Sequence, residues 1–417
     1  MRVSVLGLGY IGLPTAVMLA AKGIDVLGVD IDPGVVKKVN QGESHFYEPN
    51  LSDMLATVSS SGRLTCTTEA SEADVFLIAV PTPIGADHKA DLSALNSVVD
   101  TLISVIHPGN LIILESTSPV GTTEDIANKL KSLRPDLIFP GSWSQKTEGQ
   151  VSVAYCPERV LPGQILKELE GNDRIVGGLS ANCGIRAQEF YSKFVDGQCF
   201  LTNARTAEMC KLSENAYRDV NIAFANELGA IAEELGINVW EMITLANRHP
   251  RVNILQPGPG VGGHCIAVDP WFLAQALPDE TPLIQAARAV NDLRPKKVVV
   301  QVEKKIQEGE RTPSDLSVAC FGLTFKPNVD DLRESPALVV AEMLAVKGFK
   351  KLLIVDPYID QLPDGPLVGQ ASLVSQDYAL SHADLYVLLV DHTEFCSLEP
   401  GVFSNKLIVD TRGIWYR

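Results

Sequence analysis

A chain of 417 residues exceeds what one compact core usually supports and points to two or three domains. With 46% hydrophobic and 21% charged residues it has the composition of an ordinary globular protein. Its net charge of −16 argues against a nucleic-acid binder, which needs a concentrated basic surface, while leaving room for a small anionic substrate where a few Arg and Lys converge.

The first stretch, MRVSVLGLGYIGLPTAVMLAAKG, has the outline of a signal peptide: Arg2, an apolar run, then small residues. Gly7, Gly9, Gly12 and Pro14 interrupt that run, and no other run approaches the roughly 20 apolar residues of a membrane span. Residues 2–7 (RVSVLG) carry a buried-strand signal, and GLGYIG, from Gly7 to Gly12, places G-x-G-x-x-G ahead of the helix-like PTAVMLAAKG. These glycines allow a tight turn and close approach to a pyrophosphate, which the helix N-terminus attracts. The second strand, DVLGVD, ends at Asp30, 23 positions after Gly7. At this spacing an acid hydrogen-bonds the adenosine ribose hydroxyls and repels a 2′-phosphate, so NAD is expected rather than NADP.

Further strands are expected in ADVFLIAVPTP (73–83) and NLIILESTSPVGTT (110–123), whose carboxyl ends would line the ligand crevice and turn Thr82 and Thr117 toward the cofactor. TAEMCKLSENAYRDVNIAFANELGAIAEELG (206–236) has a helical apolar period and stops at Gly236, as a C-terminal glycine cap allows. It predicts a long central helix, with Lys211, Asn215 and Arg218 able to share one face. NVWEMITLANRHP predicts another helix, with Asn238 as N-cap and Glu241 three residues on.

Downstream, SVACFGLTFKPN (317–328), KLLIVDPYID (351–360), ADLYVLLVDHTEF (383–395) and KLIVDTRGIW (406–415) repeat the rhythm of the first half: strand then glycine, strand then Asp, an AD-initiated strand, and a last strand ending in polar residues. The expected fold class is therefore α/β, with two Rossmann-like doubly wound domains joined by a long central helix and a helical middle domain: 1–200 for NAD, 201–300 central and dimerising, and 301–417 for a second ligand. The second half lacks G-x-G-x-x-G and carries Lys326, Arg333 and Arg412 near its strand ends, which suits a different phosphorylated ligand.

The eight cysteines are scattered without a CxxC pair and are read as reduced thiols of a cytoplasmic protein; no metal is expected. Cys265 stands apart because glycines surround it in GPGVGGHCIAVDPW, with His264 beside it and Asp269 four residues on. A buried filler and a nucleophile are both compatible with that setting. A thiol serves a dehydrogenase when an aldehyde must be taken on to an acid, because a thiohemiacetal can give up a hydride.

The chain resembles, essentially end to end, the UDP-sugar 6-dehydrogenases, a family that includes UDP-glucose dehydrogenase. GLGYIG, AVPTP, ESTSPVGTT, YCPERVLPG, AEMCKLSENAYRDVN, GPGVGGHCIAVDP, FKPNVDDLRES and VDTRG occur in the family's order. Within it, ANRHPRVNILQPGPGVGGHCIAVDPWF and AYCPERVLPGQ are most similar to the branch acting on UDP-N-acetyl-D-mannosamine for bacterial surface polysaccharides. The resemblance implies a dimeric, cytoplasmic, NAD-dependent enzyme that oxidises C6 of that UDP-sugar to a carboxylate.

By the same resemblance Cys265 holds C6 as thiohemiacetal and thioester, and Lys211 and Asn215 stabilise the developing oxyanion. Asp269 and Thr117 position water or a proton network, and Glu158 assists thioester hydrolysis. NAD contacts fall to Gly7, Gly9, Tyr10, Ile11, Gly12, Asp30, Pro81, Thr82, Thr117 and Arg333. Substrate contacts fall to Glu158, Arg159, Val160, Lys211, Asn215, Arg218, Gly262, His264, Lys326, Arg412 and the backbone of 256–260, with Arg251 reaching a neighbouring subunit. Pro162-Gly163, His264 and Val268-Asp269 depart from the UDP-glucose enzymes' pattern. UDP-N-acetylglucosamine and UDP-glucose are competing substrates. A two-electron dehydrogenase that does not need Cys265 and an NAD-binding sensor are more remote readings.

Overall fold

The computed structural model of the protein describes residues 1–85, 87–140 and 148–415. By internal packing the chain divides into two units, Met1–Glu214 with Trp271–Ala276, and Asn215–Pro270 with Leu277–Arg417.

The first unit holds an eight-stranded sheet made of β1 (Arg2–Leu6), β2 (Asp25–Val29), β3 (Leu64–Thr67), β4 (Val75–Ile78), β5 (Leu111–Leu114), β6 (Ser152–Tyr155), β7 (Arg174–Gly178) and β8 (Cys199–Asn203). Its order is β3-β2-β1-β4-β5-β6-β7-β8, parallel except where β6 meets β7. Val3, Val5 and Leu77 pack into a core on one face, and Leu6, Phe76 and Ile78 into a core on the other. Two covered faces explain why these strands read as unbroken apolar runs rather than alternating ones. The stretch resembling a signal peptide is the central strand β1 and the helix Gly12–Ala21.

The second unit holds β9 (Ser317–Phe321), β10 (Lys351–Val355), β11 (Ala371–Leu373), β12 (Leu385–Leu388) and β13 (Leu407–Asp410), all parallel in the order β11-β10-β9-β12-β13. This matches the order of the first five strands, so the repeated rhythm is a repeated topology. The match reaches atomic detail. Gly7 (φ 94°) and Gly322 (φ 92°) both turn left-handed after the first strand of their sheet. The amides that follow, of Leu8 and Leu323, donate to Asp30 Oδ2 at 2.8 Å and Asp356 Oδ2 at 2.7 Å.

The long helix spans Ala204–Leu235, and Gly236 stops it at φ 66° as the sequence predicts. Asn238 caps helix Val239–Ala246 by accepting from the amides of Trp240 and Glu241, each at 3.1 Å. Helix Pro282–Glu308 runs through residue 300 unbroken, and its Val298, Val302 and Ile306 share one core with Val318 and Cys320 of β9.

Candidate active site

In the first unit the strand order reverses between β1 and β4, where a doubly wound sheet opens its ligand crevice. The glycines of GLGYIG at that point have separable duties. A Cβ on Gly12 would stand 1.8 Å from Gly7 O, and one on Gly7 would stand 2.8 Å from Ala79 O, so the fold itself requires both glycines. Gly9 is different: among the described residues no atom lies within 4 Å of where its Cβ would be. Nothing in the chain demands a glycine there, whereas a pyrophosphate approaching the backbone would. The helix Gly12–Ala21 carries no acidic residue in its first turn, which keeps its positive end available to an anion.

Asp30, at the end of β2, is half-buried, and the amides of Leu8 and Asp32 fix its carboxylate at 2.8 and 3.0 Å. Tyr10 stacks on Phe46 with ring centroids 4.3 Å apart, next to the half-buried Ile11. Pro81 is exposed after β4, and the neighbouring Thr82 hydroxyl donates to Thr117 O, tying together the loops that follow β4 and β5. These residues fit a dinucleotide with an unphosphorylated adenosine ribose. Arg333, the remaining predicted cofactor residue, belongs to the second unit. It forms a two-pronged ion pair with Asp331, and although burial acts to raise the Asp331 carboxyl, this pairing holds it below its usual value.

Also in the first unit, the loop after β6 carries Glu158, Arg159 and Val160. Lys211 Nζ donates to Glu158 O at 2.8 Å, joining the long helix to this loop. The Glu158 carboxylate is buried in an ion pair with Arg174 Nη1 at 2.7 Å, and its other oxygen accepts from the Arg159 amide at 2.8 Å. That arrangement suits a group holding the loop better than a base free to activate water. Arg159 pairs with Glu214 at 3.0 Å and donates to Asp173 O, while Val160 packs against the core.

In the second unit Cys265 is half-buried, and its carbonyl accepts from the amides of Val268 and Asp269 at 3.1 and 2.9 Å, so it sits in the turn that opens helix Asp269–Ala276. The glycines preceding it answer to the protein rather than to a ligand. A Cβ on Gly262 would meet Glu334 O at 2.5 Å, and one on Gly263 would meet the Phe325 ring at 2.8 Å. Asp269 is 2% exposed and accepts from Asn215 Nδ2, which brings two predicted catalytic residues together. His264 is exposed and its charge acts on Asp331. Arg218 and Arg251 are exposed, on the long helix and in the turn after Val239–Ala246 respectively.

At the strand ends of the second sheet, Lys326 lies in the loop after β9, where its carbonyl accepts from Thr324 Oγ1 at 3.0 Å. Arg412 follows β13, and its Nε pairs with Asp391 at 2.8 Å. A Cβ on Gly258 would stand 2.6 Å from Arg412 Nη1, so this guanidinium lies against the 256–260 backbone. Asp356, the counterpart of Asp30, is closed to a ribose. Its oxygens accept from Leu323, Tyr358 and the buried His392, whose Nδ1 takes the Asn328 amide at 3.0 Å. Burial would push the Asp356 carboxyl up, but these bonds hold it below its usual value.

Two supporting residues escape sequence reasoning. Arg174 lies in NDRIVGG with no periodic or motif signal. Glu208, fully buried, accepts from the Gly121 and Thr123 amides at 2.6 and 2.9 Å and so fixes the start of helix Thr122–Leu133. Its place one helical turn before Lys211 would be the only hint in the sequence.

The models of the UDP-glucose/GDP-mannose dehydrogenase family match the chain in three consecutive pieces: the NAD binding domain at residues 1–195, the central domain at 205–293 and the UDP binding domain at 319–417. The chain is 51% identical over 417 residues to the UDP-N-acetyl-D-mannosamine dehydrogenase of Escherichia coli K12, covering 99% of each. It is also 51% identical over 413 residues to the NDP-N-acetyl-D-galactosaminuronic acid dehydrogenase of Ralstonia nicotianae, covering 99% of this chain and 96% of that protein. Among solved structures, the UDP-D-ManNAc dehydrogenase of Pyrococcus horikoshii superposes with a TM-score of 0.89 at 40% identity, over 99% of this chain and 96% of that one.

Proposed function

The chain belongs to the UDP-glucose/GDP-mannose dehydrogenase family, and on that footing we propose that it oxidises C6 of UDP-N-acetyl-D-mannosamine to the carboxylate, reducing two NAD per sugar. The observation that carries the substrate is 51% identity across the full length of an enzyme of that name. NAD, when bound, accepts the hydride of each oxidation.

The chain's own residues supply the rest. Cys265 adds to the C6 aldehyde, keeping a reactive carbonyl bound, and the thiohemiacetal oxidises to a thioester that water cleaves to the acid and the regenerated thiol. The Lys211 ammonium and the Asn215 amide face the oxygen that becomes negative, a contribution on the order of several kcal/mol when such donors are preorganised. Lys211 is held for that task by Glu158 O, and Asn215 by Asp269. With its carboxylate committed to Arg174, Glu158 acts first by holding Lys211. Its assistance to hydrolysis would need the ion pair to open. Lys326 and Arg412 grip the diphosphate, Gly262 and His264 approach the sugar, and Arg159, Val160 and Arg218 complete the substrate contacts.

Residues 1–200 bind NAD and 301–417 bind the UDP-sugar in this reading, with 201–300 carrying a homodimer contact. Tyr217, Phe224 and Ile231, exposed at heptad spacing along the long helix, with Leu235 one turn further on, support the dimer as a stripe that a second copy would cover. Arg251, exposed near the end of this segment, would reach the second copy's substrate. Among the described residues no helix is long and apolar enough to cross a membrane. A cytoplasmic setting is supported by eight cysteines present as thiols.

The Ralstonia relative favours a second reading on an N-acetylhexosamine of different stereochemistry. The deciding experiment supplies limiting UDP-N-acetylmannosamine, UDP-N-acetylglucosamine, UDP-N-acetylgalactosamine and UDP-glucose with excess NAD and counts NADH per sugar. Two NADH from the mannosamine sugar at the highest kcat/KM support the proposal. One NADH per sugar removes the thioester, and preference for another sugar moves the substrate.

A further inference from the structure

Inside the second unit, helix Pro282–Glu308, the stretch from Gly229 to Trp240 and the end of β13 line a half-open cavity of about 330 Å³. Apart from Pro257, no residue given an NAD or UDP-sugar role lines it.

Among the described residues, its wall holds hydrogen-bond donors without acceptors. Arg294 is only 5% exposed, and its Nε donates to Gly258 O at 3.0 Å. Among the described residues its two terminal nitrogens have neither an acceptor nor an ion-pair partner. The indole N–H of Trp240 is likewise buried without an acceptor among the described residues. Lys304 has Glu234 at 4.0 Å, the outer limit of an ion pair. A buried guanidinium is costly unless an anion meets it; burial lowers the Arg294 pKa, against the smaller raising effect of the Glu233 charge.

The acids of the same wall are already engaged. Asp410 accepts from the amides of Arg412, Gly413 and Trp415 at 2.6–2.8 Å. Glu308 pairs with Lys305 at 2.8 Å, and Glu233 accepts from Gln301 through one of its two oxygens. What remains in the wall, among the described residues, are the Arg294 terminal nitrogens and the Trp240 indole N–H without a hydrogen-bond acceptor.

We propose that this cavity binds a small phosphate-bearing anion, with its oxygens on the Arg294 terminal nitrogens, the Trp240 indole N–H and the Lys304 ammonium. Four donors on three separate side chains suit a tetrahedral oxyanion better than the two oxygens of a carboxylate. The site also touches the loop that carries Gly258. Asn226 Oδ1 accepts the Gly258 amide at 2.9 Å, and Arg294 holds its carbonyl. If the UDP-sugar reading of that loop holds, filling the cavity changes the KM for the UDP-sugar and leaves the KM for NAD unchanged.

The test measures the Tm of the intact protein with inorganic phosphate or pyrophosphate against sodium chloride at matched ionic strength, in saturating UDP so that a diphosphate pocket is already filled. A Tm that rises with phosphate under those conditions, by a rise lost in both Trp240→Phe and Lys304→Ala, is the expected result. Lys304 is half-exposed, so its substitution reports on the site even where the Trp240 change weakens the fold. No rise, a rise unchanged in Lys304→Ala, or a rise that vanishes when UDP is added overturns the site. The last outcome returns the anion to the UDP pocket. UDP that fails to raise Tm by itself counts against the UDP-sugar reading and leaves the cavity's own result standing.

Discussion

Arg174 Nη1 stands 2.7 Å from Glu158 Oε2, with both side chains at most 6% exposed, and the main-chain oxygen of the same Glu158 receives the Lys211 ammonium at 2.8 Å. The first residue of β7 thereby sets the position of a cation on the long helix through a loop between them. Removing one partner of a buried ion pair leaves an uncompensated charge, a loss of about 3–5 kcal/mol. Arg174→Met is expected to lower the unfolding free energy in urea by about that amount. In the protein that remains folded, kcat falls while the KM for NAD holds, and Arg174→Lys restores part of both losses. Wild-type stability in Arg174→Met would show that the pair contributes nothing.

A pH dependence follows from Glu115, which sits behind the same pair. Burial pushes its carboxyl up to about 7, with Arg174 drawing it down and Glu158 pushing it further up. The folded value lies above the unfolded 4.5, so between the two the native state holds a proton that the unfolded chain has released. The stabilisation is complete below about pH 4.5 and is lost as pH rises through 7, a change of about 3 kcal/mol. Glu115→Gln keeps an acceptor for the Tyr191 hydroxyl, which donates to Glu115 at 2.6 Å, and removes the titration. Its unfolding free energy relative to wild type should rise by about 3 kcal/mol between pH 5 and pH 8. A pH-independent difference would place the Glu115 carboxyl in its ordinary range.

The glycine loop separates fold from ligand. Gly9→Ala meets no atom of the described residues within 4 Å, so Tm should not move. The KM for NAD should rise tenfold or more, about 1.4 kcal/mol of binding. Gly12→Ala, with its Cβ 1.8 Å from Gly7 O, should lose stability by about 1–3 kcal/mol, as overpacking does. An unaltered NAD affinity in Gly9→Ala would mean that the dinucleotide does not cross that backbone.

Cys265→Ser exchanges one atom of a half-buried side chain and keeps the backbone bonds that its carbonyl accepts from Val268 and Asp269. The melting temperature should be retained while uronic acid formation drops by roughly a hundredfold or more, the expected consequence of losing a nucleophile. Full acid production by the serine variant would remove the covalent step.

Local signals in the chain carry much of this protein. RVSVLG, GLGYIG and Asp30 announce the dinucleotide half because a buried strand, a left-handed turn and a following helix each impose a short-range requirement on residue type. Asn238 and Gly236 mark helix ends for the same reason. β6 (SVAY) and β7 (RIVGG) give no comparable signal, being four and five residues long without flanking turn chemistry of their own.

Pairing at a distance is what only the tertiary structure decides. The sequence singles out Cys265 through its glycines, but packing against Phe325 and Glu334 is what those glycines serve. Asp30 and Asp356 read alike in sequence. Only the fold leaves the first open at its strand end and seals the second under His392, 36 residues away. The burial of Glu158 by Arg174 and the empty-handed donors of Arg294 and Trp240 have no local signature at all. Each is settled by which side chains a low-dielectric interior brings within hydrogen-bond reach, and that depends on the packing of elements far apart in the chain.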